Sequence, residues 1–127
     1  MRPFSVEEAK QVIRTKPQQL SLEEMYMVAQ TYEPGSREFN EVMETAVRMY
    51  PDDPTANINA ACTRMEYGDL EGAKHYLSKA GNSPQALHAK GVMAMLEGNT
   101  GQARQLLNQA KQAGAQGVDK NLQILDM

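Results

Sequence analysis

The chain has 127 residues, enough for one domain with a continuous hydrophobic core. Its formal net charge of -3 argues against the basic footprint of a nucleic-acid binder and against a polybasic membrane-surface patch. A single cysteine, Cys62, excludes an intrachain disulfide and a cysteine-cluster metal site, and no apolar run is long enough to insert across a membrane.

The opening stretch from Met1 to Glu8 lacks the apolar core of a signal peptide. Its abrupt start, close to a helix, suits either an intact cytosolic protein or a domain excised from a longer one. Apolar residues recur at helical spacing almost throughout and nothing alternates like a strand, so the expected class is all-α. Ser5 and Glu8 have the spacing of a capping box, which predicts a helix over about 6–15 with Val6, Ala9 and Ile13 on one face. Pro17 ends it or deflects the chain. Ser21 and Glu24 repeat the box, and Leu22, Met25, Ala29 and Tyr32 follow on one face. Pro34-Gly35 is a breaker pair.

A third helix is expected from about Arg37 to Tyr50, with Phe39, Val42, Met43, Ala46 and Met49 as its stripe. Pro54, near a first-turn position where its missing N–H costs little, opens a fourth helix marked by Ile58, Ala61, Cys62 and Met65. Gly68-Asp69 breaks it. Leu70, Ala73, Leu77 and Ala80 mark a fifth helix, and Gly81-Asn82-Ser83-Pro84 the next stop and start. Leu87, Gly91, Ala94 and Met95 mark a sixth, ended by Gly98-Asn99. Ala103, Leu106, Leu107 and Ala110 mark a seventh, and Val118, Leu122 and Leu125 a capping helix over about 118–126.

Internal repetition organises these elements. A shift of thirty positions lays Pro54 on Pro84, Met65 on Met95, Gly68 on Gly98, Ala73 on Ala103, Leu77 on Leu107 and Ala80 on Ala110. Ala61 meets Gly91, small on small. Small side chains there let antiparallel helices approach closely, and Leu77 and Leu107 fill the space between successive pairs. The glycines supply the freedom that reverses the chain. A lone hairpin cannot bury its apolar face, so several stack and an end helix covers the last.

The order Ala61, Gly68-Asp69, Ala73, Leu77 and Ala80, with Pro51 closing the preceding unit, resembles the signature of the tetratricopeptide repeat family over roughly residues 22–113. The family's period is about 34 residues. The resemblance implies antiparallel pairs over about 22–50, 54–80 and 84–113, stacked as a short right-handed superhelix in a single domain over 1–127. Several positions depart from the pattern: Asn57 and Leu87 stand where an aromatic is usual, Arg64 and Ala94 where Tyr is usual. The unit from Pro54 to Pro84 is short by about one helical turn.

No catalytic constellation accompanies the repeat, and the chain reads as a non-enzyme without cofactor or metal. His75 and His88 have neither HExxH spacing nor a Cys/His cluster around them. The pairs Glu23-Glu24 and Asp52-Asp53 are adjacent in sequence and so do not face each other on a helix. Gly98-Asn99-Thr100-Gly101 lacks the strand and the Gly-Lys-Ser/Thr ending of a phosphate loop and falls on the repeat turn. Cys62, on an apolar stripe, is expected to be a buried, inert thiol. The nine methionines are expected as flexible core filler, with a minority lining an adaptable groove. Acidic residues gather in the first half and read as a solvated face, or as a surface for a basic partner.

In the family the first helix of each pair lines a concave groove. Carried over by position, the candidate groove residues are Tyr26, Gln30, Thr55, Asn59, Cys62, Glu66, Gln85, His88, Val92 and Met95. Asn59 stands where an Asn often hydrogen-bonds a bound peptide backbone. Gln85 and Ala89 stand where a clamp for a terminal carboxylate needs Lys and Arg, which disfavours such a clamp. The expectation is a soluble protein- or peptide-binding module, with oligomerisation or docking inside a larger protein as the alternative. The chain also resembles the helical tails of bacterial cell-envelope proteins that carry an outer-membrane-protein-A-like domain. If the chain is excised from such a protein, that implies a periplasmic setting; otherwise the expected setting is cytoplasmic.

Overall fold

The computed structural model describes residues 4–127; Met1, Arg2 and Pro3, which open the stretch read above for a signal peptide, lie outside the described residues. Among the described residues there are eight α-helices, one 3-10 turn and no strand. Their contacts gather into two compact units, one ending at Ala56 and one covering Asn57–Met127, where the sequence alone suggests a single domain over 1–127.

The first unit contains α1 (Val6–Thr15), the 3-10 turn (Pro17–Gln19), α2 (Leu22–Ala29) and α3 (Arg37–Met49). Both capping boxes form. The Ser5 and Ser21 hydroxyls accept from the N–H of Glu8 and Glu24 at 3.2 and 3.1 Å, and the two carboxylates accept in return from Ser5 and Ser21 N–H at 3.0 and 2.8 Å. A serine cap of this kind is worth about 1 kcal/mol. The other Glu24 oxygen accepts from Phe4 N–H at 3.0 Å and so ties the segment before α1 to the start of α2.

Bulky side chains fill this unit. Leu20, Met25, Val28, Val42 and Met43 are buried together with Ala9, Ala29 and Ala46, and Phe4, Tyr26, Tyr32, Phe39 and Tyr50 pack around them. Tyr50, which ends α3, donates its hydroxyl to the Leu20 carbonyl at 2.5 Å. That bond stitches the end of α3 to the 3-10 turn and satisfies a backbone oxygen at a buried residue.

The second unit contains most of α4 (Pro54–Glu66), then α5 (Leu70–Leu77), α6 (Pro84–Leu96), α7 (Thr100–Gln112) and α8 (Val118–Leu125). Pro54 opens α4, and the Asp53 carboxylate, one residue earlier, accepts from Ala56 N–H at 2.9 Å. Pro84 opens α6 behind Ser83, whose hydroxyl accepts from Ala86 N–H at 3.1 Å.

The thirty-residue offset is visible in the backbone. Gly68 and Gly98 adopt φ of 78° and 79°, values that an L side chain rarely takes. Gly68 N–H and Asp69 N–H bond to Met65 and Arg64 carbonyls; Gly98 N–H and Asn99 N–H bond to Met95 and Ala94 carbonyls. Asp69 and Asn99 then cap α5 and α7 through Gly72 N–H and Gln102 N–H. The helices that follow differ in length because Gly81 and Pro84 come soon after Leu77, whereas no glycine follows Leu107 until Gly114.

Small residues set the packing here. Ala61, Ala73, Ala80, Ala86 and Ala89 are buried with Leu77 and Met93, joining α4, α5 and α6. Gly91 of α6 lies against α7 so closely that an added Cβ would stand 2.7 Å from Leu107 Cδ2 and 3.3 Å from its backbone nitrogen. Leu107, Ala110 and Val118 form a further cluster with Leu87, Met95, Leu122 and Leu125, joining α6, α7 and α8. α6 contributes apolar side chains to both clusters, Ala86, Ala89 and Met93 to one and Leu87 and Met95 to the other. Ion pairs Arg104–Asp126 (2.6 Å) and Lys111–Asp119 (2.8 Å) join the start of α7 to the end of α8 and the end of α7 to the start of α8, so these two helices run antiparallel.

Candidate functional site

An open cavity of about 460 Å³ lies within the second unit. One wall is Ile58, Cys62 and Met65 of α4, spaced to share a helix face. The facing wall is Gln85, His88, Ala89 and Val92 of α6, again one face. The turn Gly114-Ala115-Gln116 before α8 makes the third side. The volume falls in the range of small-ligand pockets, roughly 300–1,000 Å³, and admits one large side chain with its flanking backbone. Apolar walls with a few amide and imidazole groups offer dispersion contact and hydrogen bonds and no fixed charge.

His88 holds its place by a contact across 33 residues: Nε2 stands 2.7 Å from Asn121 Oδ1 on α8. A side-chain amide oxygen only accepts, so with that amide orientation Nε2 is the donor. Cys62 is exposed in the cavity wall, which corrects the expectation of a buried thiol. Its stripe on α4 is adjacent to Ala61, which faces the core, and the boundary between the two faces is not visible in the residue types. Desolvation by the apolar wall pushes the thiol up, and the Glu66 carboxylate one turn away adds to the effect. At neutral pH the sulfur therefore stays protonated and is a poor nucleophile.

The candidate groove residues separate. Cys62, Gln85, His88 and Val92 meet in the cavity. Asn59 is half-buried on α4, and Thr55 and Glu66 are exposed on the same helix. Met95 does not belong to that wall: it packs against the Leu107, Ala110 and Val118 cluster. Tyr26 packs against the core of the first unit, and Gln30, exposed, caps α2 in the same unit. The third wall, Gly114 to Gln116, escapes sequence reasoning because it comes from a loop that matches no repeat position.

A second depression of about 250 Å³ is lined by residues that include Lys74, Leu77, Lys90, Met93 and Glu97. Its cations are engaged. Lys74 Nζ is 2.6 Å from Glu97 Oε2, and this hydrogen bond, reinforced by the carboxylate charge, holds the Lys74 ammonium above its ordinary range. Lys90 donates to Gly81 O at 2.7 Å and to Asn82 Oδ1 at 3.1 Å. Among the described residues no group of three or more His, Cys, Asp or Glu side chains converges on a metal position, and no helix is long and apolar enough to cross a membrane. No family model, no curated protein and no solved structure matches the chain.

Proposed function

We propose that this chain is a tetratricopeptide-like, non-enzymatic interaction module that holds a peptide segment of another protein against α4 and α6. The observation that carries the reading is the cavity itself. It is framed by α4 and α6, the leading helices of two sequence repeats related by the thirty-residue offset, which is where the resemblance puts a groove. Its walls supply adaptable apolar contact from Met65, Ile58 and Val92 and hydrogen bonding from Gln85, Gln116 and His88. That combination suits a segment held by its backbone and anchored by one side chain.

A random library of twelve-residue peptides displayed on phage, panned against the full chain, tests it. Enriched peptides should bind the wild type and lose at least about tenfold in affinity to Val92→Glu, because a charge at the half-buried centre of the wall must be desolvated by an apolar anchor. Circular dichroism checks that helicity is kept. Equal binding to the variant, or no enrichment, removes the proposal. His88→Ala is a poorer probe, since it also breaks the link to Asn121.

A further inference from the structure

Resting on the reading of the α4–α6 groove as a peptide site, we infer that its occupant is an extended segment with an apolar side chain for the cavity and, two residues on, a lysine or arginine for Glu66. The cavity walls contain no Asp, Glu, Lys or Arg among the described residues, so they favour an uncharged anchor. Past the cavity the two helices differ. On α4, Glu66 follows Cys62 by one turn on the same face. On α6, Leu96 follows Val92 by one turn, and the thirty-residue offset makes Leu96 the counterpart of Glu66.

Both are open to solvent, Leu96 at 52%. The neighbouring charges are committed: Arg64 pairs with Asp69, and Glu97 with Lys74. Glu66 enters no ion pair among the described residues. The groove thus ends in an uncommitted carboxylate on the α4 side and an exposed leucine on the α6 side. A long basic side chain fits both, its alkyl stem on apolar surface and its head on the carboxylate. Spacing follows from the two backbones. A helical turn rises about 5.4 Å. Two residues of extended chain advance about 6.6 Å and return to the same face. An acidic side chain at that position would meet a like charge.

The test uses the full chain, labelled with nitrogen-15, and three twelve-residue Ser/Gly peptides whose centres read Leu-Ser-Lys, Leu-Ser-Gln and Leu-Ser-Glu. Amide shifts of Cys62, His88 and Val92 are followed at low salt. The Lys peptide should bind about two- to fivefold tighter than the Gln peptide, the range of an exposed ion pair, and the Glu peptide weakest. Glu66→Gln should make the Lys and Gln peptides equal, and Glu66→Lys should reverse the order. If all three peptides shift the cavity amides with one affinity, the charge preference is wrong and the peptide site stands. If none shifts them, both fall. Should the same amides move with protein concentration alone, a second copy is the occupant and the inference is overturned.

Discussion

The two units solve the packing problem by opposite means. Up to Ala56 the chain has four alanines and five aromatic residues; after it come eleven alanines and two aromatics. The first unit fills its centre with Leu20, Met25 and Met43 and surrounds them with rings. The second brings backbones together over Ala61, Ala73, Gly91 and Ala103 and lets single leucines, Leu77 and Leu107, fill what remains. The lesson is that removed volume should hurt the first unit and added volume the second.

The largest effect expected is at the tight contact. Gly91→Leu should cost about 3 kcal/mol or more, because an added Cβ already meets Leu107 side chain and backbone. Gly91→Ala should cost less, since the same overpacking is set against a helix-propensity gain of about 1 kcal/mol. Urea denaturation of the two variants checks both, and unchanged midpoints would place Gly91 away from α7.

Truncation is the matching test of the first unit. Met25→Ala should destabilise by about 2–5 kcal/mol, as Met25 is fully buried among Leu20, Val28 and Met43. A loss below about 1 kcal/mol would mean that the unit collapses around the gap and is not filled as tightly as its residue types imply.

The smallest effect concerns pH. Backbone N–H groups of Ser21 and then Phe4 hold the Glu24 carboxyl below the usual carboxylate range. A group depressed on folding contributes stability above its unfolded value and loses it as pH falls through its folded value. Acid titration should therefore release the contact of Phe4 with α2 below the ordinary carboxylate range, seen as a shift of the Phe4 amide. Glu24→Gln should abolish that step. The step persisting in the variant would assign it to another carboxylate.

Helix boundaries were the part most legible in the sequence, because local chemistry sets them. Ser5 with Glu8, Ser21 with Glu24, Pro54, Pro84, Gly68 and Gly98 each act on their own turn. The site was legible by half. Carried over by position from the family resemblance, Cys62 on α4 and Gln85, His88 and Val92 on α6 fall on two walls of the cavity. Met95 shares the apolar character of Val92 yet packs against the Leu107 cluster, since apolar residue types on a helix do not say which neighbour each side meets. The Asn121 contact to His88 and the Gly114–Gln116 wall depend on where α8 docks, which no local spacing encodes.

The way α8 is held has a further effect. Only Val118 of this helix is buried, and the ion pairs at its two ends are solvent-exposed, each worth about 0–1 kcal/mol. It should fray early, with its amides exchanging against deuterium through local opening while α6 and α7 stay protected. Asn121 steadies the imidazole that a guest would touch. A guest that favours the docked state would slow exchange along the C-terminal helix, some distance from any atom it contacts, and mass spectrometry could follow occupancy there.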